Sequence, residues 1–204
     1  MWQQWHEQHP DLDFLAVAAD ARGPEAARPW VERARATFPV VVDVENKLGA
    51  LLGYGVVPTG IFADEAGAVR HLQAGDFSVR NEGTIALVER FLAGDDTVPE
   101  ELNVGSIARL APLEQELVDA NVRLAGELLA GGRQDEALKA LDRALELDPE
   151  NYVVRKQRWM LRNPERFEPE IDLQWQKDEL AREREAERQA RDDACGPEGC
   201  EIPP

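Results

Sequence analysis

Hydrophobic and polar positions follow two regimes along this chain. Up to about residue 94, short apolar runs alternate with amphipathic stretches and turn residues. Residues 1–9 (MWQQWHEQH) read as the end of a helix closed by Pro10, with Trp2 and Trp5 on one face, placed to pack on a sheet. Residues 14–19 (FLAVAA) lack polar alternation, which predicts a strand buried on both faces, as in a parallel sheet. Gly23-Pro24 breaks the chain before a helix over 25–37, whose apolar stripe would be Trp30 or Val31, then Ala34 and Phe38. Residues 40–43 (VVVD) predict a second buried strand, and a short helix over 47–52 leads to Gly53-Tyr54-Gly55. Residues 56–64 and 68–75, around the turn at Asp64–Gly67, predict a hairpin. Residues 84–92 predict an amphipathic helix with Ile85, Val88 and Leu92 on one side and Gly94 as its stop.

The second regime is helical. A linker is expected over residues 95–112. Two antiparallel helices follow over 113–130 and 134–147, turned by Gly131-Gly132-Arg133, and a third helix runs from 151 to 161. Leu124, Leu128, Leu141 and Leu145 are expected to pack this group. Residues 162–191 read as a loop and a helix dense in Glu and Arg, a solvated face. Residues 192–204 read as a disordered tail. The domain organisation is thus 1–94, a linker over 95–112, 113–161, 162–191 and the tail.

Charge narrows the partners. Of 204 residues, 40 are acidic and 23 basic, a net charge of −17. A binder of phosphate backbones or anionic membranes would work against that field, so nucleic acid is set aside. No run of eighteen apolar residues exists, so no membrane span is expected. Read from Met1 the chain carries no signal peptide and is assigned to the cytoplasm, with export left open if translation starts upstream.

Phe38-Pro39-Val40-Val41-Val42-Asp43, then Gly53-Tyr54-Gly55-Val56-Val57-Pro58-Thr59-Gly60-Ile61-Phe62-Ala63-Asp64, then Gly67 and Gly75 form an ordered series. It resembles the thioredoxin-like disulfide reductases and the neighbouring alkyl hydroperoxide reductase/thiol-specific antioxidant family. The resemblance implies an α/β fold, a βαβαββα sheet that here lacks its first strand. That strand is a central one, so its loss leaves two strands without their shared neighbour and their polar backbone groups unpaired. It also implies a cis bond before Pro58, with Val57, Pro58 and Thr59 as a platform for a substrate or partner peptide. Such families carry a Cys-x-x-Cys or a single peroxidatic cysteine where the first helix begins, because a helix N-terminus stabilises a thiolate. No cysteine stands there in this chain. It is therefore read as a fragment of a redoxin with its catalytic residues expected upstream of Met1. The other reading is a redox-inactive domain that binds a partner. Partners would be protein thiols or disulfides, or a client protein held by the helical module; no cofactor and no metal are implied.

Residues 132–151 (GRQDEALKALDRALELDPEN) resemble the second half of a tetratricopeptide repeat, with Ala137, Leu141, Ala144 and Pro149 on its spacing. One repeat cannot bury its own apolar face, so the module must lean on the α/β part, on later helices or on another chain. The only cysteines, Cys195 and Cys200, lie in the tail, separated by Gly-Pro-Glu-Gly. They are a candidate redox dithiol, and their acidic neighbours disfavour the thiolate. The rival reading is two unremarkable thiols.

Overall fold

A computed structural model describes residues 2–95 and 110–194. The protein is mixed α/β. In chain order come α1 (Trp2–Gln8), β1 (Ala16–Ala18), α2 (Pro24–Ala34), β2 (Val40–Val42), α3 (Lys47–Leu52), β3 (Thr59–Ala63), β4 (Val69–Ala74) and α4 (Glu82–Leu92). The helices α5 (Pro112–Ala130), α6 (Gln134–Leu147), α7 (Tyr152–Arg162) and α8 (Leu173–Ala194) follow. Residues 1–161 form one compact unit and residues 162–204 another.

Two small sheets replace a continuous one. β1 pairs with β2 in parallel, Ala16 opposite Val40 and Ala18 opposite Val42. β3 pairs with β4 antiparallel, with an irregularity between Phe62 and Ala63. Among the described residues each of these sheets ends there, so β1 and β3 each have a single strand neighbour. This changes one expectation. β1 is only half-buried, and Leu15 just before it is 62% exposed. The apolar run at 14–19 is therefore not enclosed on both faces.

Local chemistry accounts for the element ends. Asp43 follows β2 and its carboxylate accepts the backbone N–H groups of Lys47 and Leu48 at 2.9 and 2.8 Å, starting α3. Asn81 caps α4, accepting from Gly83 at 2.8 Å. α2 stops three residues short of the expected end because Arg35 turns left-handed, at φ 51°. Only Ala27 of α2 is buried, so the predicted stripe through Ala34 is not a core face; Trp30 instead lies under the guanidinium of Arg33 at 4.7 Å. On α4 Val88 is buried, whereas Leu92 at the last turn is exposed.

The α5–α6 hairpin supplies the largest apolar cluster. Val118, Val122, Ala125 and Leu128 of α5 meet Ala137, Ala140, Leu141, Ala144 and Leu145 of α6. The three alanines of α6 let the helix axes approach closely, and Gly132 takes φ 72° in the turn between them. Leu124 does not join: it is 40% exposed, because Val122 and Ala125 occupy the inward positions of that turn. The hairpin leans on the α/β part. A Cβ on Gly126 of α5 would lie within 4 Å of the carbonyl oxygens of Ala21 and Val44. The backbone N–H of Val153 on α7 donates to Gly55 at 3.0 Å.

In the second unit, Asp172 accepts the N–H of Trp175 at 2.9 Å at the start of α8. Arg166 sits over the Trp175 ring at 5.8 Å, with Phe167 edge-on. Exposed pairs such as Glu179–Arg182 and Glu185–Arg188 run along α8. Such pairs are screened by solvent and add little to stability.

Candidate functional site

The bare edges of β1 and β3 border a common cavity of about 570 Å³. Its lining includes every residue from Asp13 to Val17 and every residue from Val57 to Ala63. Side chains of a strand alternate between faces, so a cavity lying on one face would touch every second residue. Unbroken lining places the cavity beside the strands, at their backbone edges. The opening is therefore a slot between the two sheets.

Hydrogen bonding agrees with this geometry. Ala16 donates to Pro39 at 3.0 Å and Ala18 accepts from Asp43 at 2.8 Å, so these two residues turn their backbone groups to β2. By the alternation of a parallel ladder, Leu15, Val17 and Ala19 turn theirs to the slot. Ala19 is served by a side chain: Nε2 of Gln157 donates to its carbonyl, and Oε1 of Gln157 accepts the N–H of Ala21 at 2.9 Å. Gln157 on α7 thus pairs with the chain just after β1 as a strand would. No comparable partner meets Leu15 or Val17 among the described residues.

Aromatic rings close part of the slot. Trp2 stacks on Phe77 at 4.9 Å, and Phe62 meets Phe77 and Phe91 at 5.8 and 5.1 Å. Trp2 was expected to pack on a sheet; it is half-buried and meets Phe77, in the loop after β4. Trp5 instead stacks on His9 at 4.8 Å. Gly60 is required here, since a Cβ would come within 2.2 Å of the Phe77 ring.

Elsewhere the wall combines aliphatic groups, Leu48 of α3 and Val153 and Met160 of α7, with two charged residues, Asp13 and Lys156. No acceptor meets the Lys156 ammonium among the described residues, and burial pushes its pKa below the ordinary lysine value. Tyr54, also in the wall, has its phenol pKa raised by burial and by the charge of Asp43.

The platform residues fall together at the entry to β3. Val57 and Thr59 are half-buried, Pro58 is exposed, and all three line the slot. The Val57–Pro58 bond is cis. The hydroxyl of Thr59 donates to the carbonyl of Val56 at 2.6 Å, tying the turn closed. Cys195 and Cys200 lie outside the described residues. Gln157 and Lys156 were not anticipated as site residues. On sequence they are two polar positions of a helix, and only the packing of α7 against β1 brings them to the slot.

No family model, no curated protein and no solved structure matches this chain. The described residues include no helix long and apolar enough to cross a membrane.

Proposed function

We propose that the chain is the body of a thioredoxin-like, redoxin-type domain acting in thiol–disulfide exchange, with Val57, Pro58 and Thr59 holding an extended stretch of the protein substrate. The observation that carries this reading is the slot. A strand placed there would join the two sheets in the order β2-β1-strand-β3-β4, and α1 and β1 would follow it as the next two elements. The resemblance puts the reactive thiol between such a strand and α1, ahead of Trp2. Among residues 1–194 there is no cysteine at all.

The test supplies what the reading requires. The chain is extended ahead of Trp2 by a five-residue apolar strand followed by Trp-Cys-Gly-Pro-Cys, in a background with Cys195→Ser and Cys200→Ser. The extended protein should catalyse dithiothreitol-driven insulin reduction, and the unextended double variant should not. An extended protein that folds, with native-like amide dispersion, yet reduces no insulin would overturn the assignment.

A second reading is a redox-inactive scaffold that binds a partner protein. It is favoured by the absence of cysteine from residues 1–194 and by the exposed leucines on α5, Leu113, Leu117 and Leu124, which recur on one helix face.

A further inference from the structure

We propose that α5 pairs with the α5 of a second copy of this chain, antiparallel and across a twofold axis. Leu113, Leu117, Ala120 and Leu124 form the contact, and Glu116 of each copy stands against Arg123 of the other. The inference rests on the helical hairpin and not on the redox reading, and it names the occupant of the leucine-bearing face.

That face is a seam. At about 100° per residue, the four side chains fall within an arc of about 60°. They are separated by four, three and four residues, the spacing at which one helix meets another along a coiled-coil line. All four are exposed. The inward face of α5 is a different one, where Val118, Val122 and Ala125 pack on α6. That packing already holds α5 helical, so a partner meets a preformed surface and no ordering cost is added. The seam is also bounded. The next position of the repeat after Leu124 is Glu127, and the one before Leu113 is Leu110, which packs on the hairpin's own cluster.

Symmetry selects the occupant. Turning the helix end for end exchanges the two ends of the seam. Leu113 of one copy then faces Leu124 of the other, and Leu117 faces Ala120, each contact occurring twice about the axis. The flanking charges obey the same operation. Glu116 and Arg123 lie seven residues apart on one flank, both are exposed, and neither has an ion-pair or hydrogen-bond partner among the described residues. In an antiparallel pair equal flanks meet, which sets Glu116 against Arg123 at both ends of the contact. In a parallel pair this flank would meet the other one, where Asn121 and Leu128 stand, and neither charge would find its opposite. A foreign helix with flanks of a single sign would meet like charge at one of the two positions. The chain's net charge of −17 opposes self-association in general, and paired opposite charges mark the place where two copies can still meet.

Sedimentation equilibrium of the full chain reads the association, in reductant so that Cys195 and Cys200 cannot link copies. A monomer–dimer equilibrium is expected, with the dimer dominant at about 0.5 mM chain. Leu117→Asp should return the chain to monomer with an unchanged circular dichroism spectrum, because that side chain is exposed. Glu116→Arg and Arg123→Glu each bring like charges together twice in a symmetric pair, so each should weaken the dimer at least about tenfold. An equimolar mixture of these two variants should dimerise again, since each then meets its opposite. Direction is read by cross-linking in a Cys195→Ser, Cys200→Ser background. Chains with Leu113→Cys mixed with chains carrying Leu124→Cys should give a disulfide-linked dimer with oxidised glutathione. Neither should do so alone, because like positions would lie on the order of 16 Å apart along the axis. A chain that stays monomeric at that concentration overturns the proposal, and the face is then bare or covered by another stretch of the same chain. So does a dimer indifferent to both charge reversals, or one in which Leu113→Cys cross-links to itself. The redox reading makes no use of this face, so none of these outcomes bears on insulin reduction.

Discussion

The side-chain oxygen of Gln157 accepts the backbone N–H of Ala21 at 2.9 Å, across 136 residues of sequence. The same amide donates to Ala19, so one side chain of the helical region completes two backbone groups after β1. Gln157→Leu keeps the bulk and removes both partners. A buried donor and a partly buried acceptor are then orphaned, at a cost of about 2–3 kcal/mol. Urea denaturation should show the midpoint falling with little change in slope. An unchanged midpoint would mean that water serves these groups as well as Gln157 does.

Gly60 and Phe77 make a second prediction. Gly60 is buried in β3, and the Phe77 ring lies where its Cβ would be. The ring is held between Trp2 and Phe62, so it cannot simply swing aside. Gly60→Ala should destabilise by about 1–3 kcal/mol through overpacking. In the Phe77→Ala background the same substitution should cost far less. That coupling, measured as a double-mutant cycle, separates the steric clash from a loss of backbone freedom, which would be the same in both backgrounds.

How much of this was legible beforehand depended on whether the determinant was local. The order of helices and strands through residue 94 follows from apolar runs punctuated by Gly23-Pro24, Pro39, Gly53 and Gly67, all local signals. The α5–α6 hairpin likewise follows from small residues at Ala137 and Ala144 and from its glycine turn. Burial was less legible. Leu15 is apolar like a core residue yet 62% exposed, because exposure depends on what packs against each face of the strand and not on the residue itself. The helical pattern could place Leu124 inside or outside, since Val122 and Ala125 compete for the same inward face. The slot's polar members were least legible: Lys156 and Gln157 reach it only through the packing of α7 on the α/β part. The platform residues Val57, Pro58 and Thr59 were nameable because they are contiguous.

Leu141 and Leu124 test the helical packing as a pair. Leu141 is fully buried in the α5–α6 interface, whereas Leu124 is 40% exposed. Leu141→Asp places a charge among apolar neighbours and should cost about 4 kcal/mol or more, enough to melt the hairpin. Leu124→Asp should change stability by less than about 1 kcal/mol. Thermal melts of the two variants side by side decide it; similar losses would mean that the inward face of α5 is misassigned.

The last prediction concerns pH. His71 on β4 lies against the Phe62 ring at 5.5 Å, and its Nδ1 is buried with no hydrogen-bond partner among the described residues. Burial, reinforced by the cation of Arg90, pushes its pKa below the ordinary histidine value of 6.5. Arg90 is itself paired with Asp95 at 2.9 Å, which tempers its field at the imidazole. The folded protein therefore holds His71 neutral over a range where the unfolded chain binds a proton. Stability rises with pH wherever the unfolded state binds more protons. The contribution is complete above the unfolded value and is lost as pH falls from about 6.5 through the lower folded value, then levels off. His71→Phe keeps a ring against Phe62 and removes the titration. Urea midpoints measured from pH 7.5 to 5.0 should fall further for the parent than for the variant. Parallel curves would show that water reaches the imidazole and that β4 packs less tightly on Phe62 than its geometry indicates.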